Sequence, residues 1–318
     1  MDVPRRLVVA SRGSRLALTQ TQIVVDLIRG AVPDLDVEVL ELSTRGDADG
    51  RPFAEIGGKG LFTSEVERAV VDGRADIAVH SAKDLTAELG RGCGIVAVPP
   101  RAVPFDVVLG GTGRSGEERL GSLAPGARIG SSSMRRRALL AEARHDLDPI
   151  EFRGNLDTRI RKVEEGLADA AIVAGAGLAR LGHDTKGALD PGWWVPAPGQ
   201  GALAVEALED SDVAALLAPI NDPGAAAELA CERGFAARLE GGCSVPLGCL
   251  ARAQNGGLVA TGYLGDPEGG RAVRDRISGG MDEAAALGRE LAAAILSSGG
   301  EEILEDIKSL EPPPQGAP

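Results

Sequence analysis

The run Leu239-Glu240-Gly241-Gly242-Cys243-Ser244-Val245-Pro246-Leu247-Gly248 sets one thiol between glycines and a proline. Glycine's backbone freedom and proline's missing N–H both work against helix or strand, so the segment reads as a loop. A loop thiol in a chain with four cysteines is a candidate for reaction, metal binding or covalent attachment. A second constellation is Gly130-Ser131-Ser132-Ser133-Met134-Arg135-Arg136-Arg137. Serines at a helix start cap its orphan amides, and the same amides can bind an external anion. Three arginines in that first turn oppose the helix dipole at about 0.3–1 kcal/mol each. Consecutive helical residues point about 100° apart, so at most two of them readily share one ligand. An anionic ligand resolves the conflict; a solvated basic helix start is the alternative.

The segment Phe152-Arg153-Gly154-Asn155-Leu156-Asp157-Thr158-Arg159 repeats the logic, with Arg153 where a strand ends and Arg159 about a turn into the next helix. Together with Arg12 and Ser14, these arginines suit a ligand with several carboxylates, because a guanidinium grips a carboxylate with two parallel bonds. Taken singly, each reads as surface decoration. In Ala78-Val79-His80-Ser81-Ala82-Lys83-Asp84 an apolar strand delivers Lys83 and Asp84 to a sheet edge. The neighbouring cation favours an ionised Asp84, which can stabilise a cationic intermediate in a dry pocket. A structural ion pair or a helix cap is the competing reading. His80 reads as a core or supporting histidine. Cys93, Cys231 and Cys249 sit in apolar or helical settings and read as packing residues. Gly57-Gly58-Lys59-Gly60 lacks the spacing of a phosphate-binding loop, and Gly175-Ala176-Gly177 is too short for a dinucleotide fingerprint.

The elements that must position these groups alternate. Strand patterns at Leu7–Ala10, Val37–Leu42, Ala75–Val79 and Ile95–Val98 are interleaved with helical patterns at Leu16–Ile28 and Leu61–Val71. A second series has strands at Val107–Leu109, Arg128–Gly130, Ile150–Phe152 and Ala170–Ala174, with helices at Met134–Arg144 and Leu156–Gly166. This is the βαβ pattern of helix-covered parallel or mixed sheets. The Pro- and Gly-rich stretch 191–201 reads as a crossover between lobes. A helix at Ala225–Leu239, three strands within 245–277, and helices at 281–296 and 301–310 suggest a smaller α+β unit.

Composition bounds the function. The chain has 318 residues, 43% of them hydrophobic and only 3% aromatic, so its cores must be built of Ala, Val, Leu and Ile. A net charge of -13 argues against bulk binding to nucleic acid or an anionic membrane, and an anionic ligand must meet a local basic pocket. No run approaches a membrane span. The four cysteines lack the close-paired spacing of a metal site and the density of a disulfide framework, so a reduced, metal-free, cytoplasmic protein is expected.

In order along the chain, these motifs resemble the porphobilinogen deaminase, or hydroxymethylbilane synthase, family of tetrapyrrole biosynthesis. The resemblance runs through Ser11-Arg12-Gly13-Ser14 with Leu16-Ala17-Leu18, Thr44-Arg45-Gly46-Asp47, Gly57 to Phe62, Asp76 to Ser81 with Lys83-Asp84, Gly130 to Arg136, Arg153-Gly154-Asn155, Pro198-Gly199-Gln200-Gly201 and Leu239 to Gly248. It implies two doubly wound α/β lobes like periplasmic binding proteins, crossed twice by the chain, and a smaller C-terminal α+β domain. The expected limits are 1–102 with 200–221, then 103–199, then 222–318. It implies a dipyrromethane cofactor held by a thioether to Cys243, and condensation of four porphobilinogen molecules with loss of ammonia, followed by hydrolytic release of 1-hydroxymethylbilane. Asp84 is then the catalytic group. Lys83, Asp84, Ser133, Arg135, Arg136 and Arg159 match cofactor-binding positions. Arg12, Ser14, Arg153, Arg159, Arg180 and Gln200 match substrate-binding positions. No nucleic acid, membrane or metal is implied, and a monomer is favoured. Arg15, Ala82, Thr86 and Ser131 depart from the commoner pattern, and Arg15 has no assigned role. Two other readings compete: a non-catalytic anion-binding module, which leaves Cys243 unexplained, and a thiol enzyme pairing Cys243 with His80.

Overall fold

The computed structural model describes residues 6–43, 64–86, 88–239, 245–268 and 270–310. Twelve strands among them collect into three sheets. The first sheet holds β1 (Arg6–Arg12), β2 (Asp36–Leu42), β3 (Ile77–Ser81), β4 (Cys93–Ala97) and, much later in the chain, β9 (Leu203–Leu208), in the order β2-β1-β3-β9-β4. The second holds β5 (Asp106–Gly110), β6 (Arg128–Gly130), β7 (Asp148–Ile150) and β8 (Ala170–Ala174), in the order β5-β8-β6-β7. The third is the antiparallel meander β10 (Leu247–Gln254), β11 (Gly257–Gly265) and β12 (Ala272–Gly280).

The first two sheets share a topology. Each begins with three parallel strands with the first in the middle, β2-β1-β3 and β7-β6-β8, followed by one antiparallel strand; the first sheet adds β4 beyond it, parallel to the first three. That fourth strand is β9 in the first lobe and β5 in the second. It is reached by a chain segment that crosses between the lobes, once on each side. The expected fold class, two doubly wound α/β lobes and a smaller α+β part, is the one observed.

The lobes are built as their sequence pattern dictates. Leu7, Val9, Ile77 and Val205 are fully buried on strands of the first sheet. Helix Arg15–Ala31 covers them with Val24, Val25 and Ile28, roughly one apolar position per turn. Val108, Ile129 and Ile172 do the same in the second lobe, under helix Met134–Ala143. In the third unit Cys249, Ala251, Leu258, Ala260 and Leu264 meet helices Pro223–Arg238 and Ala284–Ile295. Cys93, Cys231 and Cys249 are all buried free thiols, as expected of packing residues, and burial pushes each pKa up, the first two to about 12.

Several elements differ from expectation. The strand expected at Ile150–Phe152 lies at Asp148–Ile150, because its partner β6 ends at Gly130. Beyond that point the Ser132 hydroxyl replaces the ladder, accepting from the Phe152 N–H (3.2 Å) and donating to the Phe152 carbonyl (3.0 Å). Strand β9 was not expected; the charge of Glu206 interrupts its apolar run. Inside the sheet that residue is 0% exposed and 2.8 Å from His80 Nε2. His80 is therefore a buried supporting residue. The short helices Gly116–Gly121 and Gly175–Arg180 also escaped the sequence pattern.

In the third unit the two main helices approach so closely that a Cβ on Gly288 would overlap the carbonyl oxygen of Cys231. Gly288→Ala is expected to lower stability by about 1–3 kcal/mol, the usual range for overpacking, read as a fall in the denaturant midpoint. An unchanged midpoint would contradict this packing.

Candidate active site

In doubly wound sheets the binding crevice lies beyond the carboxyl ends of the parallel strands. Here five such ends carry the residues singled out above. β1 ends at Arg12, and Ser14 then caps helix Arg15–Ala31, its hydroxyl accepting from the Ala17 N–H at 3.3 Å. β3 runs into a single 3₁₀ turn, Ala82–Asp84, which presents Lys83 and Asp84. β6 leads to Ser133, which caps helix Met134–Ala143 through the Arg136 N–H at 3.4 Å. β7 leads through Arg153 to Asn155, the cap of helix Leu156–Glu164 that carries Arg159. β8 leads into helix Gly175–Arg180.

Behind this edge lies a buried carboxylate. Asp106, the first residue of β5, is 0% exposed. Its Oδ1 accepts from Arg136 Nη2 (2.8 Å) and Gln200 Nε2 (2.9 Å). Its Oδ2 accepts from Arg135 Nη2 (2.8 Å) and Trp194 Nε1 (2.9 Å). Burial alone would raise the pKa of this acid, but the charges of Arg135 and Arg136 and their hydrogen bonds hold it well below the usual carboxylate range. The conflict between the arginines and the helix dipole is thus met in part by a carboxylate of the protein itself. Two of the three arginines share it, as the 100° spacing allows.

The remaining N–H groups of those arginines are only partly consumed. Arg135 Nη1 donates to the Val195 carbonyl (2.9 Å) and Arg136 Nη1 to the Ile172 carbonyl (2.8 Å), while the Nε of each is buried without a partner. Lys83, Asp84, Arg135, Arg136, Arg159 and Asp106 act on one another electrostatically, which makes four cations against two carboxylates. Lys83 is open to water yet hemmed in by protein between the lobes. That crowding, reinforced by Arg136 and Arg135 and opposed by Asp84 and Asp106, lowers its pKa to about 8. Burial, then the charge of Arg136, lowers Arg159 to about 10 against the pull of Asp84. Burial alone does the same to Arg180, whose Nη2 donates to the Gly201 carbonyl at 2.8 Å.

Other expected site residues sit differently. Gln200 is 1% exposed and serves the interior, since its amide also donates to the Pro104 carbonyl at 2.6 Å. Buried behind the arginines, it does not face the cleft in this conformation. It is held by Arg101, which reaches the Gln200 carbonyl (2.9 Å) while pairing with Glu232 (2.7 Å) and Glu228 (3.1 Å) of the third unit. The preceding Gly199 has φ +73, and a Cβ there would stand 2.9 Å from the main chain of Ala82 and Lys83. The crossover and the Lys83–Asp84 turn therefore pack backbone to backbone. Arg153 is partly buried and pairs with Glu151 at 2.7 Å. Arg12 is half-buried at its strand end. Arg15, which had no role, reaches across the cleft mouth to Asp157 at 3.1 Å. Cys243 and the stretch from Thr44 to Phe62 lie outside the described residues.

Asp106 was missed by sequence reasoning, although a signal existed. It is the one charged residue at the head of the apolar run Phe105 to Leu109. Arg101 and Glu232 carried no such signal, because their pairing joins segments that are 131 residues apart.

Comparison with known proteins decides the family. The porphobilinogen deaminase dipyromethane cofactor binding domain matches residues 7–215, and the porphobilinogen deaminase C-terminal domain matches 226–297. The chain belongs to the porphobilinogen deaminase family. Similar relatives include the porphobilinogen deaminase of Roseiflexus castenholzii, 44% identical over 94% of this chain and 98% of that one. That of Trichlorobacter lovleyi is 41% identical over 97% and 98%, and the probable porphobilinogen deaminase of Hyperthermus butylicus is 42% identical over 90% and 95%. Among solved structures, the periplasmic aliphatic sulphonate binding protein SsuA of Escherichia coli aligns with a TM-score of 0.38 at 14% identity over 75% of this chain and 71% of that one. Nothing about function follows from so distant a likeness. Members of the porphobilinogen deaminase family are transferases of tetrapyrrole biosynthesis that carry a dipyrromethane cofactor, and attachment through a cysteine fits the family.

The cleft of this family member suits such a group. A dipyrrole bears four carboxylates, and the cleft offers surplus positive charge, two orphaned Nε–H groups and a Lys83 ammonium that makes no hydrogen bond or ion pair among the described residues. No helix among the described residues is long and apolar enough to cross a membrane.

Asp106→Asn leaves two buried guanidinium groups without their counter-charge. It is expected to cost about 3–5 kcal/mol in denaturant unfolding. The folded pKa of Asp106 is depressed, so its contribution is present above the unfolded value of 3.8 and is lost as pH falls below it. The variant should therefore show a flatter decline of stability below about pH 4. A wild-type acid limb in the variant would refute this role.

Proposed function

We propose that this protein is a hydroxymethylbilane synthase that condenses four porphobilinogen molecules head to tail, with loss of ammonia, and releases 1-hydroxymethylbilane by hydrolysis. The observation that carries this reading is the electrostatic linkage of Asp84 to Lys83 and Arg159, and of those two to Arg136 and Arg135, at the carboxyl edge of both sheets. In an acidic protein this is a local basic pocket, four cations against the carboxylates of Asp84 and Asp106.

The residues divide the work. Lys83, Ser133, Arg135, Arg136 and Arg159 bind the acid side chains of the cofactor, which is joined to Cys243 by a thioether. When bound, the dipyrromethane supplies the nucleophilic pyrrole carbon that begins the chain. Arg12, Ser14, Arg153, Arg159 and Arg180 bind the acetate and propionate groups of incoming porphobilinogen. Gln200 acts behind them, through Asp106. Porphobilinogen that has lost ammonia is a cationic azafulvene. Asp84 offsets that charge and accepts from pyrrole N–H groups. Arginine suits the binding role because its planar fork matches a carboxylate and it stays protonated even when burial lowers its pKa to about 10.

The domain limits proposed are 1–102 with 200–221, then 103–199, then 222–318. They are supported by the membership of β9 in the first sheet and by the Pro- and Gly-rich crossover. A cytoplasmic monomer is proposed, in keeping with the scarcity of cysteine.

Intact mass under denaturing conditions tests the attachment. Wild-type protein is expected to exceed its chain mass by one dipyrrole, whereas Cys243→Ser should show the bare chain in most molecules. Normal loading of that variant would move the attachment elsewhere. Asp84→Ala is expected to fold and load yet lose turnover by at least a hundredfold, the low end for a stabilising group in a preorganised site. Near-normal ammonia release by loaded Asp84→Ala would overturn the assignment.

A further inference from the structure

The third sheet has two unlike faces. One is apolar and covered by helices Pro223–Arg238 and Ala284–Ile295. The other packs Leu250 and Tyr263 onto the second lobe, but over the rest of its area it carries Arg252 and Gln254 from β10, Val259 and Thr261 from β11, and Arg274 and Arg276 from β12. Side chains alternate along a strand, so these six project to the same side. They line a cavity of about 580 Å³, closed at one end by Pro191 and Gly192 of the second lobe.

The charges in this cavity are incompletely balanced. Arg274 is satisfied: it pairs with Glu142 (2.6 Å) and its guanidinium lies 4.7 Å from the Tyr263 ring centre. Arg252 and Arg276 make no side-chain hydrogen bond or ion pair among the described residues. The one carboxylate on the wall, Asp275, accepts the main-chain N–H of Arg276 at 2.7 Å. In a chain with 47 acidic and 34 basic residues, carboxylate partners are abundant, and many exposed arginines here have one. Two guanidinium groups without a partner among the described residues thus face one cavity.

Their placement defines what fits. Arg252 stands opposite Val259, and Arg276 stands opposite Thr261, so the two flank the central strand from its two neighbours. Two strand spacings and a two-residue offset along the central strand set their main chains about 12 Å apart, a separation that two guanidinium forks can close onto the two ends of one small molecule. Between them the floor is Val259, with Leu250 beside it. The Thr261 hydroxyl and the Gln254 amide supply neutral donors. We propose that this cavity, which shares no lining residue with the catalytic cleft, is a binding site for a small organic polycarboxylate whose carbon frame rests on Val259 and Leu250 while Arg252 and Arg276 take its acid groups. A bare inorganic anion would leave the apolar floor and most of the volume unused.

The site also has a built-in reporter. Trp193 and Trp194 are the only tryptophans, Gly192 beside them lines the cavity, and Arg274 Nη2 donates to the Trp193 carbonyl at 3.4 Å. Citrate serves as the probe, titrated into cofactor-loaded full-length protein at constant ionic strength and followed by calorimetry and tryptophan fluorescence, with inorganic pyrophosphate in a parallel titration. Saturable one-site binding of citrate is expected. Arg252→Gln and Arg276→Gln should each weaken it about tenfold, as loss of a charged hydrogen bond does. The double variant should lose it, while its ammonia release from porphobilinogen without citrate stays at the wild-type rate. Undiminished citrate binding by the double variant, or no saturable binding to wild type at millimolar citrate, would overturn the proposal. Pyrophosphate binding as tight as citrate, with the same sensitivity to both substitutions, would overturn the polycarboxylate assignment. These outcomes do not depend on whether the cleft performs the condensation, since binding and turnover are read separately.

Discussion

The ionised carboxylate of Asp106 is the interaction on which the cleft depends. A buried charge is tolerable only when its lone pairs are met. Four donors meet these: two guanidinium groups from the start of one helix, an indole N–H and an amide from the segment returning to the first lobe. One side chain thereby fixes the rotation of a helix, the path of a crossover and the aim of two arginines. It touches none of the cleft surface itself. The two arginines are held in place before any ligand arrives, which spares them the entropy of ordering.

The same economy recurs at each strand end. Ser14, Ser133 and Asn155 all cap helices with their own side chains. Each cap lies beside a cation that the sheet edge aims at the gap between lobes. The chain is acidic overall and basic within one crevice, so attraction for an anionic ligand is confined to short range. The few aromatic residues fit this design. Trp194 and Tyr263 are among the largest fully buried side chains, and both sit where the second lobe meets the third sheet.

Much of this was legible in the sequence. The alternation of strand and helix patterns foretold both lobes, and the motifs at Lys83–Asp84, Ser133–Arg136 and Arg153–Arg159 lay at strand ends as their spacing implied. What stayed hidden depends on contacts between distant segments. β9 was masked because Glu206, a charged residue, is buried in it beside His80, and no local pattern announces a partner 126 positions away. Gln200 was expected to touch substrate because it lies at the crossover; only the folded chain reveals that its amide points inward to Asp106. The role of Arg15 likewise needed Asp157, 142 residues on, to come into view.

The exchange of antiparallel strands has a consequence for how the molecule is made. All four strands of the second sheet come from one continuous stretch, 106–174, so that half can close as soon as it leaves the ribosome. The first sheet cannot. Among the described residues its β4 pairs only with β9, and β9 is synthesised about a hundred residues later. The amino-terminal half therefore waits, with the edge of β3 unclaimed, until its sibling is finished. Birth order and folding order run opposite ways, and a stalled or truncated chain would present that open edge to its neighbours.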